Sequence, residues 1–148
     1  MSDNWIIFLT NDPTISNNVA HSCGNDGLHV DVLKVQHHGS EHNLDEEFCR
    51  KVTADNYIFC ANGEHENPDL RVIQAIADSR LGNSTQLSSN AEAGNPFKFW
   101  INCHSSVTKE AAEGHMKKVE KLIAKLAGKS KGQMSFFFLK GSSFELQI

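Results

Sequence analysis

Short apolar runs alternate along the chain with segments in which apolar residues recur every three or four positions. The runs predict buried strands at 5–10, 30–35 and 57–61, an alternating strand at 97–102, and a hairpin formed by 136–139 and 144–148. The helical spacing predicts a short polar helix within 11–23 and longer helices at 44–52, 67–81 and 108–127. Strands and helices that alternate in this way are typical of a layered α/β domain.

Turn and cap residues set the limits of these elements. Asn67 is predicted to cap the helix that follows it, with Pro68 at the first helical position, and Gly128 is predicted to end the longest helix. The segment 82–96 is rich in Ser, Asn and Gly, which predicts a surface loop. We interpret this loop as an insertion within one domain that spans 1–148, because no repeat or linker divides the chain.

The charge and cysteine content narrow the class of protein. With 14 Lys and Arg against 18 Asp and Glu, the net charge is −4, so nucleic acid is not expected as a partner, although it stays open as a substrate. The sequence shows no apolar run of membrane-spanning length and no secretion signal at its first residues. Its four cysteines are widely spaced, which indicates reduced thiols, with Cys60 and Cys103 as small core residues. We therefore expect a cytoplasmic protein without membrane contact.

Polar residues follow three consecutive predicted strands. Asp12 follows the first, His37 and His38 the second, and Glu64 and His65 the third. If these strands are parallel neighbours, all three groups lie at the carboxyl edge of the sheet, where α/β proteins usually bind ligands. A carboxylate with imidazoles there would suit zinc or a similar metal.

Each of these residues also has a simpler structural interpretation. Asp12 precedes a proline and would serve equally well as a turn residue. Adjacent residues of an extended chain point in different directions, so at most one of His37 and His38 is expected on a metal. His65 would also fit a turn that leads into the next helix.

One segment resembles a known family. The sequence DVLKVQHHGS at 31–40 is similar to the D-V-L-K-v-x-H-H-G-S segment of metallo-β-lactamase-fold hydrolases, in the branch that includes the hydrolase domain of bacterial DNA-uptake competence proteins. Residues 8–12 stand where that branch has an apolar strand ending in T-G-D. Residues 62–68 stand where it has a Gly-rich turn, a His and a Pro before a helix. The resemblance covers roughly residues 5–80 of the chain.

The resemblance implies both a fold and an activity. The fold would be the C-terminal half of an αββα sandwich, a mixed sheet with helices on one side. Asp12 would bridge two metal ions, His37 or His38 would bind one of them, and His65 would contact substrate or metal. Asp12, His38 and His65 are thus the expected catalytic residues. Zinc is the expected cofactor, with two ions in the complete protein, and a phosphoester is the expected substrate, although the fold hosts other hydrolyses.

The sequence departs from the family at two points. Asn11 replaces the Gly of T-G-D, and the family's H-x-H-x-D-H motif, which supplies most of the metal ligands, does not occur. We therefore expect a missing N-terminal half-domain as partner, and expect this chain alone to bind zinc weakly or not at all and to be inactive. The alternative hypothesis is a metal-free binding or regulatory remnant of the same fold, completed by another chain. An H-x-H-x-D-H segment encoded just upstream would favour the first hypothesis.

Overall fold

The computed structural model describes residues 6–8, 25–41, 44–141 and 143. Its sheet has five strands: β1 Ile6–Phe8, β2 Leu28–Lys34, β3 Val52–Phe59, β4 Phe97–Ile101 and β5 Met134–Phe138. The strands lie side by side in chain order, and each neighbouring pair is parallel. In the described residues, three helices lie in the connections between β2 and β5: α1 Glu46–Lys51, α2 Leu70–Leu81 and α3 Glu110–Lys129. The α/β class predicted from the sequence is therefore confirmed.

All three helices pack on one face of the sheet. One hydrophobic cluster joins Phe48 of α1, Ile73 of α2 and Met116 of α3 to inward residues of the strands, such as Phe59 and Phe99. Crossovers between adjacent parallel strands are almost always right-handed, so strands in sequential order place their helices on the same face. The core is consequently a single layer between helices and sheet.

Aromatic rings fill the centre of this core. The ring of Tyr57 meets those of Phe97 and Phe99 edge to face, at centroid distances of 6.1 and 5.5 Å. Phe59 packs against Phe99 at 5.1 Å. Such pairs contribute about 0.5–1.5 kcal/mol each beyond the burial of their area. The rings thereby pack β3 against β4 from Phe97, the first residue of β4, to Phe59, the last residue of β3.

The opposite face of the sheet carries a row of apolar side chains. Ile58, Trp100 and Phe137 are direct neighbours in the strand register, and the rings of Trp100 and Phe137 stack at 4.4 Å. None of the three belongs to the helix-side cluster. The side chain of Phe137 is 46% exposed. Phe137 is thus the exposed member of the row, whereas Trp100 beside it is buried.

Several boundaries differ from the sequence predictions. Helix α2 begins at Leu70 and its cap is Asp69, whose side chain accepts from the backbone N–H of Arg71, so the prediction of Asn67 as cap and Pro68 as first residue was wrong. Gly128 lies inside α3, which continues to Lys129. The described strands are all parallel. The antiparallel strand expected at 144–148, which would make the sheet mixed, lies outside the described residues, as does the helix expected within 11–23.

The segment 82–96 is mostly exposed, as predicted for a surface loop, and hydrogen bonds hold it to the rest of the domain. It contains a short 3-10 helix, Ala91–Gly94, and Ala93 is buried. The guanidinium of Arg80, at the end of α2, donates to the carbonyls of Ala93 and Asn95 at 2.7 and 2.8 Å.

Within the described part of the chain, no helix is long and apolar enough to cross a membrane.

Candidate functional site

A pocket of about 390 Å³ lies at the carboxyl edge of the parallel sheet. Its walls come from the segments that directly follow β2, β3 and β4. The lining residues are His38, Cys60, Ala61, Asn62, Glu64, His65, Asn67 and Asn102. The structure therefore brings His38 and His65, which are 27 positions apart in the sequence, to one cavity.

His38 is held in a defined orientation by the backbone of the neighbouring strand. It belongs to the short 3-10 segment Gln36–Gly39, where His37 and His38 both adopt left-handed backbone angles, with φ of 45° and 60°. Its Nδ1 is hydrogen-bonded to the carbonyl oxygen of Cys60. Because a carbonyl only accepts, Nδ1 carries a proton, and in the neutral imidazole Nε2 is the nitrogen with the lone pair. A histidine fixed by a backbone carbonyl in this way has the usual arrangement of a metal-binding imidazole.

His65 lies on a turn with unusual backbone geometry. Gly63, His65 and Glu66 all have positive φ, at 87°, 54° and 56°. Left-handed backbone is unfavourable for residues with a Cβ and persists where the surroundings enforce it, often at functional sites. A Cβ on Gly63 would lie 2.9 Å from the carbonyl oxygen of Ala112, so only glycine permits the turn to approach α3 so closely.

Three side chains from the start of α3 and the loop before it hold this turn. The hydroxyl of Thr108 donates to the carbonyl of Asn62, and the ammonium of Lys109 is bonded to the carboxylate of Glu64. His115 is hydrogen-bonded through Nε2 to the carbonyl of Pro68 at 3.0 Å. The bond from Lys109 lowers the pKa of Glu64, so that carboxylate stays ionised beside the pocket. The turn that carries His65 is thus fixed at both of its ends.

The two histidine-bearing segments touch each other directly. Gly39, with φ of 79°, lies so close to Pro68 that a Cβ on it would be 2.8 Å from the proline Cβ. The backbone N–H of Asp69 donates to the carbonyl of Gly39 at 2.8 Å. This contact sets the spacing between the segment of His38 and the segment of His65.

The remaining predicted site residues are placed differently. His37 is exposed and does not line the pocket, and Asp12 lies outside the described residues. The pair is not in extended chain, as assumed from the sequence, yet only one of its members faces the cavity. Cys103 is buried as predicted, whereas Cys60 is only half-buried and lines the pocket.

Asn102 and Cys60 are lining residues that the sequence analysis had not assigned to the site. Asn102 follows β4 directly, and its side-chain oxygen accepts from the backbone N–H of Ala61 at 2.8 Å. Cys60 holds the same position after β3. Both could have been found by extending to them the argument that polar residues after parallel strands share an edge.

A second cleft, of about 610 Å³, adjoins the pocket on the far side of His65. It lies between the turn and α3, and it shares Glu64 and His65 with the pocket. Its other lining residues are Gly63, Glu66, Lys109, Ala111, Ala112, Gly114, His115 and Lys118. His65 therefore stands between two cavities.

The described residues do not by themselves form a complete metal site. Within 6–8, 25–41, 44–141 and 143, no group of three His, Cys, Asp or Glu side chains is arranged to hold an ion. Comparisons of the chain with known protein families, with curated proteins and with solved structures found no match. Any assignment of function consequently rests on the chemistry of the site and on the sequence resemblance.

Proposed function

We propose that this chain is the C-terminal part of a metallo-β-lactamase-fold, zinc-dependent hydrolase that acts on a phosphoester. The observation that carries the proposal is the convergence of His38 and His65 on one pocket at the carboxyl edge of the parallel sheet. The resemblance of 31–40 and 62–68 to that family points to the same two segments.

The residues present fit part of a zinc site. His38 offers Nε2 as a ligand because its Nδ1 proton is bonded to Cys60. Asp12, through the resemblance, and the missing upstream motif would supply the remaining ligands, since zinc takes about four in all. When bound, zinc would lower the pKa of a water molecule and so supply hydroxide near neutral pH.

The residues around the pocket would orient the substrate. His65 is exposed on the rim and is placed to donate a hydrogen bond to a phosphoryl oxygen or to hold a metal. The side-chain amides of Asn62, Asn67 and Asn102 supply further polar contacts around the cavity. Glu64 remains tied to Lys109, so its negative charge is largely neutralised beside an anionic substrate.

The same proposal assigns the architecture to half of an αββα sandwich. All described helices lie on one face of the sheet, and the row of Ile58, Trp100 and Phe137 lies on the other. In a sandwich the second half would cover that row. In the chain alone the ring of Phe137 is exposed, and an exposed apolar surface of this kind favours association.

Self-association through this row gives a direct test of the half-sandwich. We expect the chain to associate with increasing concentration, and Phe137→Ser to reduce the association, because it removes the most exposed ring of the row. Size-exclusion chromatography with light scattering measures the change. Leu87→Ser is the control, since Leu87 is similarly exposed at 41% but lies in the 82–96 loop. A wild-type chain that stays monomeric at high concentration would contradict the prediction.

Zinc titration tests the proposed metal site. We expect the chain to bind zinc weakly, and His38→Ala to weaken binding by at least about tenfold, because it removes an imidazole that lines the pocket and whose orientation is fixed by a backbone bond. Competition titration with a chromogenic chelator gives the affinity. The same variants would then be compared for hydrolysis of a chromogenic phosphodiester, with the upstream coding segment restored.

The adjacent histidine provides the matched control. His37→Ala removes an imidazole with a similar backbone conformation that does not line the pocket, so its zinc affinity should equal that of the wild type. Equal losses in the two variants would refute the assignment of His38. This chain alone could instead bind zinc tightly and hydrolyse the ester, with Asp12→Ala abolishing the hydrolysis. That result would show that the site is complete without an upstream half.

A further inference from the structure

The pocket at the sheet edge contains no lysine or arginine among the described residues that line it. Its side chains are two imidazoles, three amides, one thiol, one carboxylate and the methyl group of Ala61. The carboxylate is that of Glu64, which is paired with Lys109 from outside the pocket. A phosphoryl oxygen in this pocket would therefore take its hydrogen bonds from imidazoles and amides. Amide donors held in place serve this purpose in many active sites.

One peptide group at the end of β3 holds two of these lining side chains. The carbonyl of Cys60 is bonded to Nδ1 of His38, and the N–H of Ala61 donates to the side-chain oxygen of Asn102 at 2.8 Å. This carbonyl and this N–H belong to the same peptide group, and in a trans peptide they point to opposite sides. His38 and Asn102 are thus fixed on the two sides of the chain that continues β3.

The bond to Ala61 also determines the orientation of the Asn102 amide. A backbone N–H can bond only to the oxygen of the amide, so this contact identifies its two ends. The oxygen is occupied, and no acceptor in the described residues is hydrogen-bonded to Nδ2. Asn102 is exposed and lines the pocket, so a ligand can reach the two protons on Nδ2.

The other two asparagines of the pocket are placed differently. The oxygen of Asn62 accepts from the backbone N–H of Glu64 at 3.1 Å. The pKa of Glu64 is lowered first by its bond from Lys109 and then by the side chain of Asn62, so the Asn62 amide acts within its own turn. The side chain of Asn67 forms no hydrogen bond with the parts of the chain that the structure describes, so nothing there fixes its orientation. Asn102 is the best-oriented donor of the three.

We propose that Nδ2 of Asn102 donates a hydrogen bond to the phosphoryl oxygen of the substrate and so positions the phosphoryl group against His38. A hydrogen bond to an anionic oxygen is roughly twice as strong as one between neutral groups. The donor requires little reorganisation on binding, because the bond from Ala61 already fixes the amide. This inference rests on the proposed hydrolase function, and it names a substrate-binding residue of that site.

The side-chain NH2 signals of Asn102 provide a direct test without metal and without turnover. The full chain, isotope-labelled, is titrated with inorganic phosphate, and the side-chain amide signals are followed by NMR. A proton on Nδ2 of Asn102 should move downfield as phosphate binds. Asn90 is the matched internal control, since its oxygen accepts in the same way from the N–H of Glu92 at 2.9 Å, but it lies in the 82–96 loop. Asn102 signals that do not move, or that move only as those of Asn90 do, would overturn the inference.

Three substitutions separate the lost donor from an added charge. Asn102→Ala removes the donor and should weaken phosphate binding by at least about tenfold. Asn102→Asp keeps an oxygen for the N–H of Ala61, and so preserves the local fold, but it replaces the donor by a carboxylate and should weaken binding at least as much. Asn90→Asp makes the same exchange outside the pocket and should bind phosphate as the wild type does. If Asn102→Asp loses affinity while Asn102→Ala does not, the added charge alone acts, and the inference is wrong.

The outcomes also separate this inference from the hydrolase assignment. If zinc binding and hydrolysis both fail while phosphate still moves the Asn102 signals, the hydrolase assignment is wrong and the pocket remains an oxyanion-binding site. If hydrolysis is found with the upstream segment restored, and Asn102→Ala changes neither KM nor kcat, the hydrolase assignment is supported and the role of Asn102 is refuted.

Discussion

Replacing Arg80 by methionine is expected to lower the free energy of unfolding by about 3 kcal/mol. The side chain is almost completely buried, and it donates to the carbonyls of Ala93 and Asn95, to that of Ala54, and at 3.4 Å to the hydroxyl of Tyr57. Each hydrogen bond from a charged donor contributes about 1.5–3 kcal/mol, and burying the charge offsets part of the sum. Without Arg80, three carbonyls would lose their donor.

A second arginine of the same helix is the control for this prediction. Arg71 is 84% exposed and pairs with Glu41 at 3.1 Å, so Arg71→Met should cost less than about 1 kcal/mol. Arg80→Lys should fail to restore stability, because one ammonium cannot reach carbonyls that the planar guanidinium serves together. Denaturant titration of the three variants measures the differences. Equal midpoints for Arg80→Met and Arg71→Met would contradict the role assigned to the buried guanidinium.

The apolar pattern located the strands of the parallel core, but it predicted the start of β3 too late in the sequence. The expected strand 57–61 is in fact β3, Val52–Phe59, which begins earlier because polar residues inside it are satisfied by the sheet. The side chain of Asn56 donates to the carbonyl of Asp31 and accepts from the indole of Trp100, at 3.0 Å in both cases. An apolar run cannot reveal such bonds, since they join residues far apart in the sequence.

The site could be predicted in its position but not in its conformation. The rule that parallel strands end at one edge placed His38 and His65 at the same edge, and both line the pocket there, while Asp12 lies outside the described residues. The sequence could not show that both lie on left-handed backbone, because that geometry depends on packing between the two segments. Nor could it show which of His37 and His38 lines the pocket, where His38 is hydrogen-bonded to the carbonyl of Cys60.

The contact between these two segments should be sensitive to a single methyl group. We expect Gly39→Ala to lower the free energy of unfolding by about 3 kcal/mol: roughly 1–2 for left-handed backbone, and a further 1–3 for the clash with Pro68, eased by small shifts. The shift would move the segment of His38 away from Asp69, which donates to the Gly39 carbonyl. Zinc affinity should therefore fall together with stability.

Gly132→Ala separates backbone strain from this clash. Gly132 also has a positive φ, of 89°, but a Cβ there would meet no atom within 4 Å. Its substitution should cost about 1 kcal/mol from the backbone alone and leave zinc affinity unchanged. Denaturant titration and zinc competition on both variants give the comparison. If the two alanines cost the same and Gly39→Ala binds zinc as the wild type does, the contact between Gly39 and Pro68 does not set the spacing between the His38 and His65 segments.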